Sequence, residues 1–371
     1  MNQALPGRRA RGFSLVELMV AVTISLIMFA VIIELFASNK QAYRVQEGAS
    51  ELNENARYAV SHLQYFLRLA DHWGGVEAGV VNVDPGVPNP LATDCAGDPV
   101  ISTMGFRGYN GNGATPPLNC IAAANYEPGT DAFFIRYGAA HEDARPVGDP
   151  SVPVPPNGVP TLPDANGGQQ PITSTYVTST DGDGIWLSAR LGRRGFIFNN
   201  TDHASLPADG QLDNKEVTDG SAAYYRFQSM LYFIRPCSNP AAGTNSSVCD
   251  AGDDGIPTLV RMTLNPDLSF TEEEVVAGVE NMQLLYGVDA DGDFVAERYE
   301  PADTVDANND WNNVVTVRVS LIVANLQRDT TINDTGTYYL LDTNWQPPPE
   351  ARSFRRSQFD FTVQIRNVTR A

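Results

Sequence analysis

The chain has 371 residues, a formal net charge of −19 at pH 7 and 42% hydrophobic residues. That apolar content excludes a disordered acidic tail, and the negative charge argues against a nucleic-acid-binding surface. The length admits one large domain or two small ones, and the acidic balance suits a cation or a basic partner.

Residues 1–12 form a short leader that holds Arg8, Arg9 and Arg11 and no acid. From Phe13 to Ala37 the chain is apolar except for Ser14, Glu17, Thr23, Ser25 and Glu34. These 25 residues are enough to span a bilayer as a helix. The arginines ahead of them predict a cytoplasmic N-terminus, with the bulk of the chain outside. An ordinary secretory signal has its small residues after the apolar stretch, whereas here Gly12 precedes it. A carboxylate inside such a segment is expensive, so Glu17 requires a partner, and a facing ammonium is the partner that makes it tolerable. Glu34 lies near the outer end, within reach of the headgroup region.

The run Gly12-Phe13-Ser14-Leu15-Val16-Glu17-Leu18 resembles the class III signal of type IV pilins and type II secretion pseudopilins. The resemblance implies that a prepilin peptidase cuts between Gly12 and Phe13 and methylates the new amino group of Phe13. Glu17 then becomes the fifth residue, and its carboxylate pairs with the N-terminal amine of a neighbouring subunit in the filament. Loss of the three leader arginines leaves a net charge of −22. Many major pilins carry glycine and proline breakers in this half of the helix, but Phe13–Ala37 has neither. The subunit at the extreme tip of such filaments often lacks the acid, so its presence here implies a place beneath the tip.

Beyond Ala37, small or apolar residues recur at Val45, Ala49, Leu52, Ala56, Ala59, Leu63, Phe66 and Ala70, in alternating steps of four and three. This stripe predicts one helix from Phe13 to Trp73, stopped by Gly74-Gly75, whose amphipathic half (residues 38–75) covers a sheet. The rest, residues 76–371, reads as a β-rich head. Residues 76–129 and 138–170 are rich in Gly, Pro, Asn and Asp and read as loops, and 76–220 as a loop-rich lobe. Strands are expected at Ala132–Tyr137, Ser174–Ser179, Tyr224–Ile234, Thr258–Leu264, Val275–Val276, Met282–Val288, Val314–Val323 and Phe359–Ile365. Val315, Val317, Val319 and Leu321 alternate with polar residues, as do Phe359, Phe361, Val363 and Ile365. The expected class is α+β: a pilin-like long N-terminal helix packed on an antiparallel sheet with long loops.

Cys95, Cys120, Cys237 and Cys249 all fall on the exported side, where an even count reads as two disulfides. Three pairings are possible; proximity favours Cys95–Cys120 and Cys237–Cys249. A zinc-type site fits poorly, because no pair has CxxC spacing and no histidine is near.

The stretch from Val275 to Asp289, the Asp-Gly-Asp turn after it, the Trp311–Val323 strand and the Phe359–Arg366 strand together look like the PilW group of minor pilins. This second resemblance covers about the last hundred residues. Within it, Asp289, Asp291, Asp293 and Glu297 surround Gly292 in the pattern that calcium, a hard oxygen-seeking ion, requires. The competing reading is an acidic turn whose aspartates cap their own backbone. Asp250, Asp253 and Asp254, and Asp181 with Asp183, repeat the pattern more weakly. His62, His72, His141 and His203 show no metal-ligand spacing, and His62 reads as a packing or surface residue. No nucleophile elbow, P-loop, dinucleotide fingerprint or HExxH occurs, so no enzyme is expected.

The two resemblances imply a minor pilin that starts in the inner membrane, primes pilus assembly and ends at or just below the tip. Its implied partners are other minor pilins, the major pilin, the prepilin peptidase, the inner-membrane assembly platform and a tip adhesin; nucleic acid is not among them. The alternatives are a type II secretion pseudopilin, a tip-associated adhesion module and an anchored hydrolase.

Overall fold

A computed structural model describes residues 14–85, 87, 95, 100–111, 113–139, 161–163, 169–171, 184–199, 222–240, 248–250, 252–265, 267–329, 331–365 and 367. The chain divides into two units, residues 1–51 and 52–371. Helix α1, Leu15–Leu69, contributes to both. In the first unit its apolar residues from Leu15 to Phe36 are exposed, as a segment made for lipid or for other helices must be. Thr23 and Ser25 return their hydroxyls to helix carbonyls, Thr23 Oγ1 to Val20 at 2.9 Å and Ser25 Oγ to Ala21 at 2.7 Å. Neither hydroxyl therefore brings an unpaired polar group into lipid.

In the second unit Leu52, Ala56, Ala59, Leu63, Leu67 and Ala70 of α1 are buried. The stripe differs from the expected one at its edges. Ala49 is exposed, and Leu67 takes the central place while Phe66 is only partly buried. The helix also stops at Leu69 rather than Trp73. Asp71 turns left-handed (φ 64°) and its N–H bonds the Arg136 carbonyl at 3.1 Å, so the chain docks on a strand instead of completing another turn.

The strands in order are β1 (Val81–Val83), β2 (Phe106–Tyr109), β3 (Ala132–Ala139), β4 (Thr161–Pro163), β5 (Gln169–Pro171), β6 (Ile185–Arg190), β7 (Gly195–Asn199) and β8 (Ala222–Arg235). There follow β9 (Thr258–Leu264), β10 (Phe270–Ala277), β11 (Val279–Val288), β12 (Arg298–Glu300), a short helix α2 (Ala302–Asn308), β13 (Val314–Ala324), β14 (Tyr338–Leu340), β15 (Thr343–Trp345) and β16 (Arg356–Gln364). The first sheet runs β1-β7-β6-β8-β3-β2, with β9 also on β8 and β10 on β9. Its β1–β7 pair is parallel, so the sheet is mixed rather than purely antiparallel. The second sheet runs β12-β11-β13-β16 and is antiparallel throughout. β14–β15 and β4–β5 are separate hairpins.

One sheet was expected and two large ones form, joined by a single residue. Gly278 lies between β10 of the first sheet and β11 of the second, at φ +86°, and a Cβ there would meet the Ala324 carbonyl oxygen at 2.5 Å. Only glycine turns the chain so tightly against another backbone.

One apolar cluster joins the α1 stripe to Phe133, Tyr232 and Ile234 of the first sheet and to Met282, Leu284, Val317, Val319, Leu321 and Val363 on the second. The opposite face of the first sheet is covered too. Phe134, Leu231, Phe233 and Val260 pack against Trp73, Val100, Ile101, Leu118 and Tyr126, which come mostly from the segment expected to be loop. This double burial explains why Phe133-Phe134-Ile135 is a continuous apolar run and not an alternating one. The disulfide Cys95–Cys120 staples that cover, and Cys237–Cys249 closes a second loop. The expected strand Ser174–Ser179 lies outside the described residues.

Candidate assembly and ligand sites

Ser14 and Glu17 stand in Ser-x-x-Glu spacing at the start of α1. The Ser14 N–H donates to Glu17 Oε2 at 3.0 Å, and the Leu18 N–H donates to the Ser14 carbonyl at 3.1 Å. Glu17 therefore holds the first turn of its own helix, as in half of a capping box. The rest of its carboxylate is exposed, next to apolar side chains that are exposed as well. Glu34 is exposed on the same helix. Gly12 and Phe13 lie outside the described residues.

Asp289, Asp291, Asp293 and Glu297 do converge, and each offers an oxygen within 4.8 Å of the others. Asp289 is fully buried at the end of β11, and the other three are exposed. The same carboxylates also order the loop. Asp289 accepts the N–H groups of Gly292 at 2.7 Å and Phe294 at 2.8 Å; Glu297 accepts that of Ala290 at 2.6 Å; Asp293 accepts that of Val295 at 2.8 Å. Gly292 and Phe294 take positive φ to close the loop, at 88° and 67°. One lone pair per N–H leaves further acceptor capacity on each acid.

The weaker acidic groups separate. Asp253 accepts the Asp250 N–H at 2.6 Å, Asp250 accepts that of Gly252 at 2.7 Å, and Asp254 accepts the Ser238 N–H at 3.0 Å, next to the Cys237–Cys249 bridge. Asp181, Asp183, His141 and His203 lie outside the described residues. His62 meets the Tyr232 hydroxyl at 3.1 Å and packs on Phe66; burial, with Arg261 nearby, lowers its pKa to about 4. It is a packing residue of the helix–sheet contact.

Two features have no counterpart in the sequence reading. A cavity of about 440 Å³ opens between the end of α1 and the starts of β2 and β13, lined by Asp71, Ser102, Thr103, Trp311 and Asn313. Burial raises the Asp71 carboxyl to about 7, against the pull of the Trp73 indole N–H and the Gly105 N–H. The second is a buried ion pair. Arg356 of β16 reaches across β13 to Glu280 of β11, Nη2 to Oε1 at 2.9 Å with Nε on the other oxygen, and the Arg356 side chain is fully buried. A charged residue within a strand gives no sequence signal of which other strand it will meet.

Comparison with known proteins falls on both ends of this geometry. Residues 7–33 match the prokaryotic N-terminal methylation motif, which includes Gly12, Phe13 and Glu17. Residues 247–367 match the family described as type IV pilus-assembly protein W, which takes in β9 to β16, the acid loop and the Arg356–Glu280 pair. No curated protein matches the chain. Among solved structures, a type IV-like pilin from Thermus thermophilus is 14% identical over 39% of this chain and 80% of its own, at a TM-score of 0.18. The methylation motif and the apolar start of α1 anchor the chain in the inner membrane and fit it for incorporation into the pilus. With the motif at one end and the assembly-protein segment at the other, these two stretches make the chain similar to the PilW-like type IV minor pilins.

Proposed function

We propose that the protein primes type IV pilus assembly and is then carried at or just below the pilus tip. The observation that supports this reading is Glu17. It is an acid in a membrane-grade helix, it is exposed, and its only hydrogen bond among the described residues is to Ser14. A facing ammonium offsets the cost of that charge, and the methylated amine of a neighbouring subunit is such a group. The role is structural, with no catalytic part. The partners under this reading are other minor pilins, the major pilin, the prepilin peptidase, the assembly platform and a tip adhesin. The test is to delete the gene and, in a separate strain, replace Glu17 with Ala, then count surface pili and probe sheared filaments. Pili are expected to be absent in the deletion, and the Glu17→Ala chain processed but missing from filaments. Normal pili lacking the wild-type protein would sink the reading and favour a secretion pseudopilin or an anchored binding module.

We also propose that the loop from Asp289 to Glu297 takes calcium. Four carboxylates within 4.8 Å repel one another, and a divalent cation relieves this while using their spare lone pairs. Thermal unfolding of the full chain in detergent, with calcium or with chelator, tests it. At calcium a hundredfold above Kd the expected stabilisation is about 2.7 kcal/mol, lost in Asp291→Asn/Asp293→Asn. No calcium-dependent change would leave the loop as a self-capped turn.

A further inference from the structure

Where the two sheets meet at Gly278, the ends of β8 and β13 and the segment after β15 enclose a cavity of about 190 Å³. Its walls include Trp345, Pro348 and Phe354, with the carboxylates of Glu127, Glu280 and Glu350 among its lining groups. The charges do not balance. Arg356 is committed to Glu280 and Asp334 and donates to the carbonyls of Phe354 and Ala351. The main chain of Glu127 bonds Ile234 and Thr130, but its carboxylate has no hydrogen-bond or ion-pair partner among the described residues, and its neighbour Glu280 is also an acid. Its burial, followed by repulsion from Glu280, raises its carboxyl to about 7. Glu350 is exposed at the rim.

The rings of this region already receive cations from the chain itself. Arg356 lies 5.8 Å from the centroid of Trp345, and Arg328 lies 5.3 Å from that of Phe354. A half-buried acid beside a buried one, an exposed acid, and proline and aromatic walls are what the stem and head of a basic side chain require together. The stem packs on apolar surface, and the head meets carboxylate and π-face.

We propose that this cavity is a socket for a lysine or arginine side chain presented by a partner protein, with Glu127 as its principal counter-charge. Charge complementarity selects the occupant. An aliphatic group would leave the Glu127 carboxylate unpaired, and an anion would face the carboxylates of Glu127 and Glu350. The strongly negative chain as a whole draws basic surfaces toward it. The socket is independent of where the subunit sits in a filament.

The full chain in detergent is titrated with Nα-acetyl-lysine methylamide and with its norleucine counterpart, which has the same stem and no charge. Tryptophan fluorescence is followed, with Trp345→Phe to assign the signal. Saturable binding of the lysine compound, none of the norleucine compound, and an affinity loss of about tenfold in Glu127→Gln are expected. Thermal unfolding establishes that Glu127→Gln is folded. If it is not, Glu350→Gln at the exposed rim takes its place, with a smaller loss. Equal binding of both compounds, no saturable binding, or unchanged affinity in a folded variant would overturn the proposal. Because the readout uses no filaments, its failure is separate from failure of the priming role.

Discussion

Replacing Arg356 with Ala is expected to destabilise the head by about 3–5 kcal/mol, the cost of leaving a buried charge without its partner. The Arg356 side chain is fully buried and that of Glu280 is 6% exposed, so water does not replace the lost guanidinium. Asp334, on the far side of Arg356, loses a partner at the same time, as do the carbonyls of Phe354 and Ala351. The pair links the two outer strands of a three-strand run, Glu280 on β11 and Arg356 on β16 with β13 between them, so the loss loosens the register of both ladders. The double variant Arg356→Met/Glu280→Gln is expected to recover much of the loss, because it removes both charges. Denaturant unfolding of the full chain in detergent measures both variants. A change within about 0.5 kcal/mol in Arg356→Ala would mean that the buried charge is compensated elsewhere.

Raising the pH from 5 to 8 is expected to destabilise the fold, whereas carboxylates solvated in both states would leave its stability unchanged over this range. Burial raises Asp71, Asp131 and Glu127 each to about 7. Asp131 is raised although the N–H groups of Gly111 and Leu284 pull it down, at 2.9 and 2.7 Å. Glu280 is raised as well, its burial outweighing Arg356. The folded chain holds these protons after the unfolded chain has released them. Their stabilisation is thus complete below the ordinary carboxylate range and is lost as pH rises through about 7. His62, lowered to about 4, and His72, lowered by burial, act in the opposite sense up to the ordinary histidine pKa of 6.5. The steepest loss therefore falls above that pH, where the histidines no longer offset it. Asp254, Asp267 and Asp329 are lowered and matter only in stronger acid. The melting temperature as a function of pH checks this, and Glu127→Gln should flatten the curve. A melting temperature that climbs from pH 6.5 to 8 would refute it.

Elements with a strong period could be read from the sequence, and elements whose burial comes from elsewhere could not. The helix was legible because a 3.6-residue stripe and the Gly74-Gly75 stop are local signals. Its true end depends on the hydrogen bond from Asp71 to β3, a contact made across more than sixty residues. Thr258–Leu264 was bounded as observed. In contrast, Phe106–Tyr109 and Ile185–Arg190 were missed: one is four residues long, and the other is buried along its whole length and so has no polar alternation to show. Splitting the head into two sheets depends on Gly278, one glycine among 31, whose role appears only when Ala324 is placed beside it. The acid loop could be seen in one dimension because its four carboxylates lie within nine residues. The socket could not, because Glu127, Glu280 and Trp345 come from distant parts of the chain and no spacing relates them.

Asn367 donates to the Arg68 and Ala70 carbonyls at the end of α1, at 2.9 and 3.0 Å, across almost the whole of the second unit. Val363 and Ile365 beside it belong to the same apolar cluster as Leu52 and Ala56. As the chain is exported, the helix emerges with its stripe bare before β16 and Asn367 cross. Closing the head therefore waits on translocation, not on synthesis of the helix, and every contact that completes it has high sequence separation. During that interval the exposed stripe is the surface that a periplasmic holding factor would have to cover. A subunit needed in few copies can tolerate a slow maturation of this kind, whereas one polymerised in bulk could not.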